Sequence, residues 1–162
     1  MPEYPRHLRA FDYIGLHRYF LTFCTFERRP HFLQAANVDI AHDQILRAAV
    51  ANKFSIHTYC YMPEHVHLVV EAEHDDCDLK CFVARAKQYS GFHFKRATAS
   101  ALWQRYGYER VLRNEESTIA VARYVIENPV RAGMVASPAD YPFWGSSTWS
   151  RDELLEHVRR AG

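Results

Sequence analysis

Two histidines and a tyrosine are the residues of this sequence whose types and spacing could do chemistry together. In the run Tyr61-Met62-Pro63-Glu64-His65-Val66-His67-Leu68-Val69-Val70, apolar and β-branched residues predict a strand over 66–72. The strand period of two sends the imidazoles of His65 and His67 to one face while Val66 points to the other. Two nitrogen donors aimed at one spot are half of a metal shell. Positions stay open for water and substrate oxygen, as Lewis-acid chemistry at a phosphate requires. Further along, Tyr124-Val125-Ile126-Glu127-Asn128 falls in a predicted helix, where i, i+4 spacing puts the Tyr124 hydroxyl and the Asn128 amide on one side. A phenol with a pKa near about 10 is a poor nucleophile at neutral pH, so it needs a cation at the electrophile and a geometry that holds it in line. Spacing alone leaves a second reading open for each group, in which the histidine pair is fortuitous and Tyr124 is a packing residue with a satisfied hydroxyl.

The elements that must position these residues follow from periodicity. Residues 18–26 are dense in aromatic and β-branched side chains and end at Glu27-Arg28-Arg29-Pro30, a strand closed by a turn. Over 39–51, Ile40, Ile45, Leu46, Ala49 and Val50 fall near helical spacing, with Asn37 or Asp39 available as a cap. Residues 54–62 and 66–72 form two further strands, and Pro63 with its fixed φ enforces the turn of a hairpin. From Asp78 to about Ala97, Leu79, Phe82, Val83, Ala86, Tyr89 and residues 92–94 lie toward one side of a second amphipathic helix, and Lys80, Arg85, Lys87 and Lys95 lie mostly toward the other. Residues 102–106 and 110–113 predict one short strand or a bent hairpin around Gly107.

That order, β-α-β-β-α-β, predicts an α+β fold: a ferredoxin-like sandwich with a four-stranded antiparallel sheet and two helices on one face. Asn114, Glu115 and Glu116 then start an additional C-terminal helix that carries Tyr124 and that Pro129 stops near Asn128. Residues 130–147 read as loop, 151–160 as a short terminal helix and 1–16 as an irregular arm. One domain spanning 1–162, with its core at about 18–147, is expected.

The 162 residues are 48% hydrophobic and 24% charged, with a formal charge of +1, which suits a single globular domain. No stretch approaches the roughly 18 uninterrupted apolar residues that span a bilayer, and Met1-Pro2-Glu3-Tyr4-Pro5-Arg6 lacks the apolar run of a signal peptide. A cytoplasmic protein is expected. In that reducing setting Cys24, Cys60, Cys77 and Cys81 read as free thiols, and the i, i+4 pair Cys77/Cys81 lacks the partners of a tetrahedral metal site. A Walker-type glycine loop is absent, and Leu68-Val69 stands where a hydrolase built on alternating histidines would want a third one. Residues 39–78 carry two Lys/Arg against eight Asp/Glu, whereas 79–131 carry ten against four. Such a basic region suits a nucleic-acid surface and equally a solvated helix face.

Three runs taken together resolve what spacing leaves open: residues 61–70 above, then Trp103-Gln104, then Tyr124-Val125-Ile126-Glu127-Asn128-Pro129-Val130-Arg131-Ala132-Gly133-Met134-Val135. In this order the sequence closely resembles the single-tyrosine HUH transposases, nearest to their REP-associated tyrosine branch, over roughly 18–147. The resemblance implies a ferredoxin-like fold and a bacterial enzyme, active at the nucleoid, that nicks single-stranded DNA beside an imperfect hairpin and rejoins it through a 5′-phosphotyrosine. It implies His65 and His67 as the metal pair, Asn128 as a polar group that completes the shell, Tyr124 as nucleophile, and Mg2+ or Mn2+ as the ion. Lys80, Arg85, Lys87, Lys95, Arg105, Arg110 and Arg131 are the expected phosphate contacts, with exposed rings stacking on unpaired bases. Lys87 is singled out because relatives often carry a lysine on the second helix. Relatives include dimers that donate the tyrosine in trans and monomers that act in cis. Glu64 departs from the asparagine more usual before the histidine pair, and either adds a carboxylate near the ion or shapes the turn. The alternative is a silent relative that binds DNA hairpins without cutting them.

Overall fold

A computed structural model describes residues 11–161. Its sheet has the strand order β4-β1-β3-β2-β5, antiparallel throughout. The strands are Arg18–Cys24 (β1), Phe54–Met62 (β2), His65–Ala72 (β3), Tyr108–Leu112 (β4) and Trp144–Gly145 (β5). The first four in this order form the ferredoxin-like sheet that the sequence predicts. Alternation along them divides the apolar residues between two cores. Tyr19, Leu21, Phe23, Ile56, Val66, Leu68 and Val70 pack under α1 (Ala35–Ala51) and α2 (Leu79–Thr98) through Ala41, Ile45, Leu79, Phe82 and Ala86. Phe20, Cys60, Met62 and Val69 pack on the opposite face under α3 (Glu115–Ile126) and α5 (Arg151–Arg160).

The helix bearing Tyr124 is therefore a layer over the second face of the sheet. A 12-residue helix is marginal alone in water, so its placement is set by burying Val121, Ala122, Val125 and Ile126, with the larger side chains each contributing about 1.5–3 kcal/mol. Its first turn is closed by a capping box between Asn114 and Ser117. The Arg123 guanidinium donates to the Val158 carbonyl oxygen and so ties α3 to α5.

The structure departs from the sequence-based expectations in several places. α1 starts at Ala35, with Gln34 at the cap position and no side-chain capping bond; Asn37 instead donates to the His31 carbonyl at 2.8 Å. Val50 and Phe92, counted among the apolar helix positions, are exposed. Residues 102–106 form no strand beyond a bridge between Trp103 and Thr25. Gly107 lets the chain enter β4 against β1, since a Cβ there would lie 2.7 Å from the Thr22 carbonyl oxygen. Pro129 ends α3, but the chain continues for one turn as α4 (Asn128–Arg131), where proline is tolerated early in a helix.

Within the stretch expected as loop, β5 pairs with β2, and the Tyr61 N–H donates to the Phe143 carbonyl at 2.8 Å, so that edge of the sheet is covered at these positions. The four cysteines are free, three buried and Cys81 exposed. Of the expected N-terminal arm, residues 1–10 lie outside the described residues. No helix among the described residues is long and apolar enough to cross a membrane.

Candidate active site

β3 begins with His65, and register decides what surrounds the pair. Across β1, Thr22 lies opposite His67 and Cys24 opposite His65; across β2, Cys60 lies opposite His67 and Met62 opposite His65. The two imidazoles share the face covered by α3, and their Nε2 atoms are 3.1 Å apart. Each ring is held from behind through Nδ1: His65 by the Glu64 carboxylate at 2.9 Å, His67 by the Thr22 hydroxyl at 2.8 Å. Glu64 therefore meets the nitrogen of His65 remote from His67, in the manner of an outer carboxylate that fixes a ligand's tautomer.

With the Nδ1 protons assigned to Glu64 and Thr22, the two Nε2 lone pairs face each other, and a proton or a cation between them must offset their repulsion. Burial lowers the pKa of both rings. For His67 it does so to about 3, with His65 and Arg131 adding in the same direction, while the Glu64 hydrogen bond opposes the fall at His65. Both imidazoles are neutral donors near pH 7. At 3.1 Å the two nitrogens are close enough to share one proton or to bind one cation together. The Asn128 side chain reaches His67 Nε2 at 3.3 Å, so an amide stands beside the same spot.

Cys60 is next to His67, yet burial pushes its thiol up to about 12 and removes it as a thiolate ligand. No cluster of three or more His, Cys, Asp or Glu side chains suited to a metal occurs among the described residues. The donor set is two imidazoles and an amide, which suits borderline ions at least as well as hard ones, and an ion held here would need water and substrate oxygens as further ligands.

Tyr124 stands at the rim of this spot and is 48% exposed. Its ring centroid is 6.1 Å from that of His67 and 6.3 Å from that of Phe20, with both neighbours edge-on. On the ring face lies the Arg131 guanidinium, its Cζ 3.8 Å from the centroid.

The structure thus brings together His65, His67, Asn128, Tyr124 and Arg131. Arg110 shares their face, since it pairs with Phe20 across β4 and β1, and it is exposed. The other basic residues singled out in the sequence do not converge there. Lys80, Lys87 and Arg105 line a cleft of about 390 Å³ with Leu21, Phe23 and Tyr106, on the α2 side of the sheet. Arg85 and Lys95 are exposed on α2. Lys87, expected on an outer helix face, is half-buried: its Nζ lies 3.4 Å from the Gln104 carbonyl oxygen and 5.1 Å from the Phe23 ring centroid.

Sequence reasoning missed Thr22, for which only the strand register is a signal, and Arg28. The charge of Arg28 acts on His65 from a turn in which Glu27 and Arg28 both have φ of 54°, a left-handed conformation costly for non-glycine residues. That turn is fastened at both ends by Thr25, whose N–H donates to the Glu64 carbonyl oxygen at 2.9 Å and whose hydroxyl donates to the Arg29 carbonyl oxygen at 2.8 Å.

Comparison with known proteins identifies the family. The family described as "Transposase IS200 like" matches residues 14–128, and the chain belongs to it: it is a transposase. Within that class its likeness is to the REP-associated tyrosine transposases. The chain is 27% identical over 152 residues to the REP-associated tyrosine transposase of Escherichia coli (strain K12), covering 94% of this chain and 85% of that protein. Its fold is similar to the solved structure of a REP-associated tyrosine transposase bound to a REP hairpin, with a TM-score of 0.72 and 26% identity over 89% of this chain and 82% of that one.

Proposed function

We propose that this transposase is a metal-dependent single-stranded DNA endonuclease and strand transferase that works beside the hairpin of a palindromic repeat through a 5′-phosphotyrosine at Tyr124. One observation carries the reading: within a single chain a half-exposed tyrosine ring lies 6.1 Å from His67, whose Nε2 faces that of His65 at 3.1 Å. The hairpin partner is carried over from the relative that binds a REP hairpin, and the common fold supports it.

His65 and His67 would hold the ion, Mg2+ or Mn2+, with Asn128 completing the protein's share. When bound, it withdraws charge from the scissile phosphate and makes phosphorus a better electrophile. Glu64 and Thr22 keep the imidazoles turned toward the site. The phenol oxygen of Tyr124 attacks phosphorus, the bond to the 3′ oxygen breaks, and the phenol proton leaves through solvent as the departing oxygen becomes a 3′-hydroxyl. The phosphodiester energy stays in the tyrosyl link, so a second 3′-hydroxyl reverses the step without a nucleoside triphosphate. The closeness of the Tyr124 ring to His67 of its own chain supports attack in cis.

The test is cleavage of a labelled hairpin oligonucleotide, taken from DNA flanking the gene, with Mg2+ or Mn2+. The expected result is a denaturant-stable protein–DNA adduct that is lost in Tyr124→Phe, with the thermal midpoint unchanged because phenylalanine keeps the ring. Tight binding with no adduct would instead identify the silent hairpin binder.

A further inference from the structure

Arg131 does more than add positive charge to the surface. Its guanidinium lies over the Tyr124 ring with Cζ 3.8 Å from the centroid, and Nη2 donates to the Tyr124 backbone carbonyl oxygen at 2.5 Å. These two contacts grip one residue by its side chain and its main chain. Glu127 keeps a right-handed helical backbone between α3 and α4, so Arg131, two turns after Tyr124, falls on the same side and its side chain reaches back over the ring. Phe20 and His67 close two further sides of the ring edge-on, and Arg131 covers a face.

We infer that Arg131 is the positioning residue of the nucleophile, fixing the Tyr124 ring toward the His65/His67 spot while its remaining N–H donors stay free for a phosphate oxygen of the incoming DNA. The inference rests on Tyr124 being the nucleophile. A guanidinium has five donors in a rigid plane, of which the Tyr124 carbonyl takes one, so holding the ring and meeting a phosphate are compatible. Lysine at this position supplies the charge and a cation–π contact, but it has no plane to stack and no fork to bind the carbonyl and a phosphate together.

The test measures three variants, Arg131→Ala, Arg131→Lys and Tyr124→Phe, for single-turnover cleavage at saturating enzyme, hairpin affinity across a salt series, and thermal midpoint. Arg131→Ala is expected to cut about 10- to 100-fold more slowly at saturating enzyme, the penalty of a misplaced nucleophile, and to lose less in hairpin affinity, where only one phosphate contact goes, than in rate. Arg131 is exposed, so the midpoint should stay close to that of wild type. Arg131→Lys should recover only part of the rate. With fluorotyrosine at position 124, the fluorine resonance should shift and narrow in Arg131→Ala as the ring is released.

A wild-type cleavage rate or an unmoved resonance in Arg131→Ala overturns the inference. So does a loss of affinity equal to the loss of rate, with the salt slope reduced by about one, which would reduce Arg131 to a phosphate contact. Adduct formation by Tyr124→Phe would instead bring down the reading of the nucleophile itself.

Discussion

Removing the Glu64 carboxylate while keeping its shape, in Glu64→Gln, tests the site at the atom that orients it. Glu64 accepts from His65 Nδ1 at 2.9 Å, which leaves Nε2 unprotonated and facing His67. A glutamine can accept from that N–H or donate to the bare nitrogen, so the tautomer is no longer dictated and the ring loses the basicity a carboxylate lends it. Outer partners of this kind are worth roughly 10- to 100-fold in metal affinity. The Glu64 side chain is 37% exposed against 14% for His65, so solvent screens part of its charge and the lower end applies: about tenfold, or about 1.4 kcal/mol.

Thr22 supports the more deeply buried His67, but as a neutral hydroxyl worth about 1 kcal/mol, so Thr22→Val should cost about fivefold. The assay is the Mn2+ concentration that half-saturates hairpin cleavage, read beside Mn2+ binding in the absence of DNA by electron paramagnetic resonance. The expected order is wild type, then Thr22→Val, then Glu64→Gln. An unchanged half-saturation in Glu64→Gln would refute orientation through Nδ1, and a loss of a thousandfold or more would make the carboxylate a direct ligand.

Two further outcomes concern the frame around the site. His42 sits between α1 and β2 with Nδ1 3.0 Å from the Tyr61 hydroxyl, and burial lowers its pKa to about 4. The unfolded chain takes up that proton near the ordinary value of about 6.5, so this contribution is present above about pH 6.5 and drains away toward pH 4, by at most about 1.4 kcal/mol per pH unit. Urea unfolding across that window should show a shallower acid limb in His42→Gln than in wild type, and parallel limbs would refute the assignment. Arg123→Met keeps the aliphatic stem but removes the hydrogen bonds to Val158, and should lower unfolding free energy by about 1 kcal/mol; an unchanged urea midpoint would show that α5 is held by its apolar face alone.

β1, β2, β3, α1, α2, α3 and α5 were legible in the sequence because each carries its own period, and Asn114 caps α3 with a side-chain hydrogen bond as its type suggests, whereas β4 took its place only from pairing with β1. What the sequence could not show is set by contacts distant along the chain. β5 is two residues long and exists because Trp144 is buried and its indole donates to the Pro138 carbonyl at 2.7 Å, and no periodicity can announce so short an element. The start of α1 was misread because Asn37 has the right side chain for a cap but uses it on His31. Helical spacing puts Lys87 on the outer face of α2, although the return of the chain through Gln104 and Arg105 places two carbonyl oxygens within 3.5 Å of its ammonium. The histidine pair and the tyrosine were visible as motifs, whereas their common face, and the supports Thr22 and Arg131, required the sheet register and the continuation of α3 into α4.

That register is also why the site has a side. On β1, Tyr19, Leu21 and Phe23 belong to the core beneath α1 and α2, while Phe20 and Thr22 turn to α3 and meet Tyr124 and His67. A slip of one residue between β1 and β3 would set Leu21 or Phe23 opposite His67 and send Thr22 into the apolar core, unpartnered. The large side chains of the first core therefore do more than stabilise the sandwich, because they penalise any register in which the imidazole loses its hydroxyl. Fold stability and site geometry are coupled through this alternation. A cavity cut on the α1/α2 side, such as Phe23→Ala, is then expected to loosen metal binding on the opposite face, although the Phe23 side chain belongs to the core under α1 and α2.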